Sequence, residues 1–302
     1  MATYKGIQGY SVQTLASDPS PTASVVGQLW YNTTSFAFKI ATEGSGSWAS
    51  GGALTTAVRG TSCLGTQTAA LSCGGNIAGP ITAGVDEYNG TAWTEVNAMG
   101  SAKYTSMSAG TVTAALIGGG VDGYQPPALS EVEEYNGSTW TEVTDLGTAR
   151  YKLAQAVGTQ TAAFAIGGRY PPTTVIGTVD EYNGASWTSS PALNTARQES
   201  GACGTTAAAL VIGGMLPGAT GVVEDYNGTS WTEVVDLNTA RGIGGSAMAA
   251  TNTTALYFGG HPYRAITESW NGTSWTEVGD MANNRQEFGG AGTGSAGLAV
   301  AG

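Results

Sequence analysis

Six tryptophans, each opening a near-copy of one phrase, set the terms on which this chain can fold. They are Trp48 in "SWASGGALTTAVRG", Trp93 in "AWTEVNAMGSAKY", Trp140 in "TWTEVTDLGTARY", Trp187 in "SWTSSPALNTARQ", Trp231 in "SWTEVVDLNTARG" and Trp275 in "SWTEVGDMANNRQ". Their spacings are 45, 47, 47, 44 and 44 residues. A unit that short cannot bury a hydrophobic face alone, so stacked copies must share one continuous core. The 302 residues are therefore expected to form one repeat body rather than the two domains that length alone suggests.

Each phrase leads into two small-residue strands, as in "AQAVGTQTAAFAIGG" at 154–168. Within that unit the reading is strand 1 over 151–158, strand 2 in "AAFAIGG", a loop "RYPPTTVIG", strand 3 in "TVDEY" and strand 4 in "SWTSS". Four short strands at a period near 46 predict an all-β fold, a β-propeller. The 47 glycines and 11% charged residues agree with tight turns between short strands.

The phrase before each tryptophan also repeats, as "DEYNGTAW", "EEYNGSTW", "DEYNGASW", "EDYNGTSW" and "TESWNGTSW". Four of these copies spell an Asn-x-Ser/Thr sequon, but Asn-Gly is also the strongest short hairpin signal. The expectation is a two-residue type I′ turn, pairing Tyr88 with Thr91 and Asp86 with Trp93. Alternation then places one aromatic set on the face toward the neighbouring blade. That set is Tyr88 and Trp93, Tyr135 and Trp140, Tyr182 and Trp187, Tyr226 and Trp231, and Trp270 and Trp275. These are structural positions, not a binding code.

Strand 1–2 pairs number six, whereas such hairpins number five. "GQLWYNTTSFAFKI" aligns Tyr31-Asn32 with the other turns, and the sequence ends just after a lone strand pair, "FGGAGTGSAGLAVAG". The expected architecture is six four-stranded blades over 26–302, the last closed by amino-terminal strands 3–4 and carboxyl-terminal strands 1–2. Either Phe36 or Trp48 marks strand 4 of that composite blade. Residues 1–25 form an extended arm outside the repeat, expected to dock on a partner or on a sister copy.

The Gly-Gly after strand 2, followed by an aromatic, a tryptophan and an "L…AR" step, resembles the kelch repeat over about 26–302. It departs from that pattern in its shortened Tyr-Asn-Gly-x-x-Trp turn. The stretch "SVQTLASDPSPTASVVGQLWYNTTSFAFKI" is similar to the opening of virion-associated proteins of marine tailed phages, which continue into Gly/Thr-rich kelch-like repeats. That resemblance implies a structural or host-contacting component of a phage particle, on tail fibre, tail tube or capsid.

Candidate chemistry is sparse. A cation recurs before strand 1 at Arg59, Lys103, Arg150, Arg197, Arg241 and Arg285, and an acid on strand 3 at Asp86, Glu133, Asp180, Glu224 and Glu268. Their joint recurrence favours internal ion pairs over an anion-binding ring. His261 is the sole histidine, and Cys63, Cys73 and Cys203 form no CxxC, so neither a metal site nor a cofactor is expected. The strand 2–3 loops differ among units, and variable loops on a rigid frame are where recognition resides. Their contact candidates are Tyr124, Gln125, Arg169, Tyr170, His261, Tyr263 and Arg264.

A net charge of −11 argues against nucleic acid as a partner. The sequence holds no apolar run long enough to span a membrane, and "MATYKGIQGYSVQT" lacks the apolar stretch of a secretory signal. Synthesis in a host cytoplasm, without membrane insertion, is expected. The resulting expectation is a non-enzymatic virion protein present as a homo-oligomer or in many copies. It would contact other virion proteins through its arm and a host receptor or glycan through its loops. The alternatives are a propeller lyase or glycosidase acting on surface glycans, and a cytoplasmic kelch interaction module.

Overall fold

The computed structural model describes residues 46–123, 127–155 and 157–302, together with three strands nearer the amino terminus. Two compact units divide between residues 46 and 47. In the first unit Gln13–Leu15 runs parallel to Leu29–Asn32, which pairs antiparallel with Ala37–Ile40.

The second unit is a β-propeller built from four-stranded antiparallel blades. The first blade is Ser62–Thr66, Ala69–Asn76, Ile81–Tyr88 and Trp93–Val96. The second is Met107–Thr111, Ala114–Gly118, Val132–Tyr135 and Trp140–Val143, and the third is Val157–Thr159, Ala162–Ile166, Val179–Tyr182 and Trp187–Ser190. The fourth is Gly201–Thr205, Ala208–Leu216, Gly218–Tyr226 and Trp231–Glu233, and the fifth is Gly245–Ser246, Ala255–Phe258, Thr267–Trp270 and Trp275–Val278. A two-stranded hairpin, Gly289–Thr293 with Ala296–Val300, lies between the innermost strands of the fifth and first blades.

The blade count corrects the sequence expectation: among the described residues five four-stranded blades are present rather than six. Leu29–Asn32 and Ala37–Ile40 share a three-stranded sheet with Gln13–Leu15, and the closing hairpin forms a sheet of two strands. Phe36 lies outside the described residues. Trp48 belongs to no strand, yet it holds a repeat-like position. Its ring meets Phe258 at 4.9 Å, and its Nε1 donates to Thr267 Oγ1 at 3.0 Å.

The hairpin turns are also longer than expected. Tyr88 pairs with Trp93, not with Thr91. The Asn89 amide donates to Ala92 O, and Asn89 Oδ1 accepts from the amides of Thr91 and Ala92, both at 3.0 Å. Only Gly90 has positive φ, at 90°. Asparagine is chosen here because its short amide satisfies the turn's own backbone, not because it must enter the left-handed region. The same turn recurs at Asn136, Asn183, Asn227 and Asn271.

The longer turn stacks the aromatics as direct cross-strand partners. Tyr135 and Trp140 lie 4.8 Å apart, and Tyr226 and Trp231 5.0 Å. Opposite each strand 3 aromatic, strand 2 supplies a fully buried alanine: Ala70, Ala115, Ala163, Ala209 and Ala255. A larger side chain there would collide with the ring. The strand 4 tryptophans of the second to fifth blades then reach the preceding blade, as Trp140 Nε1 donates to Asn97 O at 2.9 Å and Trp187 Nε1 to Thr144 O at 3.0 Å. Apolar burial and a satisfied indole N–H thus join neighbouring blades at one residue.

Candidate recognition face and the axis of the propeller

Strand 1 begins, and the strand 2–3 loops project, at one end of every blade. Six residues there share a left-handed backbone: Gly60, Thr105, Lys152, Glu199, Ile243 and Glu287, with φ between 54° and 62°. Each amide donates to the carbonyl of the preceding member, Thr105 to Gly60, Lys152 to Thr105, Glu199 to Lys152, Ile243 to Glu199 and Glu287 to Ile243. Gly60 donates to Glu287 at 2.6 Å and closes the circuit. One backbone ring thereby links all five blades and the closing hairpin around the axis.

Behind this ring the bore narrows to a cavity of about 60 Å³ lined by Ser62, Ser106, Ser200 and Phe288, among others. That space suits a few waters, whereas small-molecule sites run to several hundred Å³. Gln155 of the third blade crosses it. Its Nε2 donates to Gly244 O at 2.9 Å and Phe288 O at 3.2 Å, while Oε1 accepts from the Ser246 amide at 2.8 Å. Serines stitch adjacent inner strands, with Ser62 Oγ donating to Ser106 O and Ser108 Oγ to Cys63 O, both at 2.7 Å. Among the described residues no three His, Cys, Asp or Glu side chains stand together as metal ligands.

The recurring cations form internal ion pairs in four of the blades. Lys103 meets Glu133 at 3.2 Å, Arg150 meets Asp180 at 2.6 Å, Arg197 meets Glu224 at 2.5 Å, and Arg241 meets Glu268. All four cations are 0–1% exposed. In three of these blades the preceding link wraps the same carboxylate with amides: Gly100 and Ser101 on Glu133, Asn194 and Thr195 on Glu224, Asn238 and Thr239 on Glu268. Burial pulls the Arg197 guanidinium below its ordinary value and Glu224 pulls it back, which is the electrostatic signature of a desolvated pair.

Arg59 departs from the alignment. Counting back from the left-handed ring, the position of Lys103 is taken by Val58, and Arg59 instead lies 3.5 Å from Glu287. Asp86 is held by Thr55, through its amide at 3.1 Å and its hydroxyl at 2.6 Å. Tyr104 donates to Glu287 at 3.3 Å; burial, and then that carboxylate, hold its phenol well above the ordinary range.

Of the loop candidates, Tyr124 and Gln125 lie outside the described residues. Arg169 and Tyr170 sit on a short hairpin, Arg169–Tyr170 with Thr174–Val175, in the third blade. His261, Tyr263 and Arg264 come from the fifth blade; His261 Nδ1 lies 3.0 Å from Gln286 Oε1, and Arg264 pairs across from Arg285. The Nε atoms of Arg169 and Arg264 are enclosed without an acceptor. Tyr170 is 49% exposed and Tyr263 64%, and between them the fourth blade presents Leu216 at 40%. Sequence reasoning missed Leu216; its signal was an apolar residue beside the Pro-Gly of "MLPGATG".

The cations outside the buried pairs are concentrated on this face, two of them matched by acids there, Lys152 with Glu199 and Arg59 with Glu287. Residues 46–302 hold nine Lys and Arg: the four buried cations, and Arg59, Lys152, Arg169, Arg264 and Arg285. Those five all stand on strand 1 starts or strand 2–3 loops. The outermost strands instead expose Glu95, Glu142, Glu233 and Glu277.

No protein-family profile matches the sequence, and no curated protein is similar to it. Among solved structures, that of YjhT superposes with a TM-score of 0.66 at 11% identity, covering 79% of this chain and 88% of that one. At that identity the likeness shows the β-propeller fold alone.

Proposed function

We propose that this chain is a non-enzymatic virion protein of a tailed phage that uses its loop face to attach to a host surface. The observation that carries the reading is the row Tyr170, Leu216 and Tyr263, exposed on the strand 2–3 loops of three consecutive blades. Three of the four large hydrophobics exposed among the described residues lie on these loops, the fourth being Val235 after the outermost strand of the fourth blade, and such a gathering marks an interaction site. The cations Arg169 and Arg264 stand beside them, which suits an anionic or sugar-bearing surface on a cell. The axis, where a propeller would hold a small substrate, is occupied by the chain's own Gln155 and backbone ring. The virion assignment draws on the resemblance of the amino-terminal stretch and the repeat style to phage particle proteins. In that reading the amino-terminal unit contacts other particle proteins.

The test is adsorption by particles carrying Tyr170→Ala, Leu216→Ser and Tyr263→Ala together. With the chain still detected in purified particles, adsorption to host cells is expected to fall by at least about tenfold, the effect of losing one or two aromatic anchors. Unchanged adsorption would reject the loop face as the attachment surface. Absence of the chain from wild-type particles would reject the virion reading itself.

A further inference from the structure

Every complete blade carries a carboxylate at one strand 3 position, opposite Ser72, Ile117, Ala165, Val211 or Tyr257 of strand 2. The closing hairpin has the same strand 2 position at Ala299, which pairs with Gly290 as Val211 pairs with Ala202. Beyond Ala299 no described residue continues the ladder. The groups that would receive a carboxylate there are nevertheless in place. Arg285 aligns with Arg241 one blade earlier, its carbonyl accepting from Gly260 as that of Arg241 accepts from Gly214, and Ala282 and Asn283 align with Asn238 and Thr239, whose amides clamp Glu268.

Arg285 shows the consequence of the empty position. Its four counterparts are 0–1% exposed and paired. Arg285 is half-buried, donates to Ala301 O at 3.0 Å, and has no carboxylate partner among the described residues. The aromatic slot of this sector is already filled, because the Trp48 ring packs on Phe258 and would touch a Cβ built on Gly297. What the described residues leave unfilled is one strand with one negative charge.

We propose that the open edge of Ala296–Val300 is a docking slot for an extended strand of a partner polypeptide. The strand would run antiparallel, with an Asp or Glu opposite Ala299 and a small residue opposite Gly297. Its backbone would continue the ladder, as in other cases of strand addition, and its carboxylate would meet Arg285 and the Ala282 and Asn283 amides. The strand's charge is what separates this slot from a generic sheet edge, which any extended chain could pair with. This inference goes beyond the attachment reading and does not depend on it, since the slot lies at the closing hairpin and not on the loop row.

The probe is a labelled peptide of residues 177–184 of this chain, GTVDEYNG, with Tyr182→Gly to clear Trp48. Titrated against the full-length chain, it is expected to bind saturably and to protect alternate amides of Ala296–Val300 from hydrogen exchange. Asp180→Asn in the peptide, or Arg285→Gln in the chain, should each weaken binding about tenfold, the size of a lost charged hydrogen bond. No binding, or binding indifferent to both changes, overturns the proposal. Strong protection of those amides in the free chain also overturns it. Protection that is independent of concentration would assign the edge to the chain's own amino-terminal residues, and protection that rises with concentration to a second copy.

Discussion

The Gly60 amide donates to the Glu287 carbonyl at 2.6 Å, joining the link before the first blade to the closing hairpin's approach. Five of the six ring positions tolerate a side chain, but Gly60 does not: a Cβ there would lie 2.0 Å from the Tyr104 ring. Gly60→Ala is expected to cost roughly 1–2 kcal/mol for its left-handed backbone and roughly 1–3 kcal/mol more for the overlap. Urea denaturation measures this as a lowered midpoint at unchanged slope. Native-like stability of the variant would mean that the ring does not close through Gly60.

Ile243 occupies the same ring at φ 57°. A β-branched residue is the least suited to that region, where asparagine fits through local hydrogen bonding. Ile243→Asn should therefore raise stability by about 1 kcal/mol, strain relief exceeding the small loss from a half-buried side chain. A thermal melt that drops by several degrees would show instead that Ile243 packing matters more than its backbone.

Arg197 and Glu224 are both fully buried, so neither tolerates loss of the other. Arg197→Met is expected to cost about 3–5 kcal/mol, because it strands a desolvated carboxylate. Adding Glu224→Gln should recover part of that loss, since it removes the buried charge and its one oxygen still accepts from the Asn194 amide, although the Thr195 amide, which donates to the other carboxylate oxygen, loses its acceptor. Arg285→Met, at the equivalent but unpaired position, should cost less than about 1 kcal/mol. Equal costs for Arg197→Met and Arg285→Met would contradict the account of the buried clamp.

The repeat was legible in the sequence because large aromatics and Gly-Gly steps recur at fixed spacing, and those residues form the contacts between blades. The Asn-Gly turn was misread because the same dipeptide serves a two-residue loop and a longer one. Only the Tyr88–Trp93 register distinguishes them. Arg59 looked like a ring member because arginine is expected there; its neighbour Val58 holds the position, and Thr55 supplies the bonds. The backbone ring left no side-chain pattern, since Gly, Thr, Lys, Glu, Ile and Glu share nothing but φ. Its one signal was a constant offset, two residues after each buried cation. The pairing of the amino-terminal strands turned on partner choice, which alternation along a strand does not specify.

Cys63 and Cys203 give the fold an alkaline limit. Burial pushes both thiols from an ordinary value of 9.0 up to about 12, and raises Cys73 as well. A raised folded value means that the native state keeps protons that the unfolded chain gives up. Their contribution is therefore complete below pH 9 and declines as pH rises from 9 toward 12. Urea midpoints should fall over that window, and less steeply when Cys63, Cys73 and Cys203 are all changed to alanine. Labelling at pH 8 should leave the three thiols unmodified until denaturant is added. Rapid labelling of the native chain would contradict their burial.

Gln155 ties the third blade to the far side of the bore, so its replacement tests whether the axis is held by polar contacts or by packing. Gln155→Leu keeps the volume but removes the acceptor for the Ser246 amide and the donor shared by Gly244 O and Phe288 O. Leaving buried backbone groups unpaired costs about 1–3 kcal/mol. The loss should appear as faster hydrogen exchange at the Ser246 amide, whose acceptor is gone, as well as a lower urea midpoint. Gln155→Glu preserves the acceptor and not the donor, so it should keep the Ser246 amide protected while still lowering the midpoint, because the Gly244 and Phe288 carbonyls lose their donor. Exchange at Ser246 and a midpoint that are both unchanged in Gln155→Leu would mean that water already satisfies these groups, and that the bore is open to solvent.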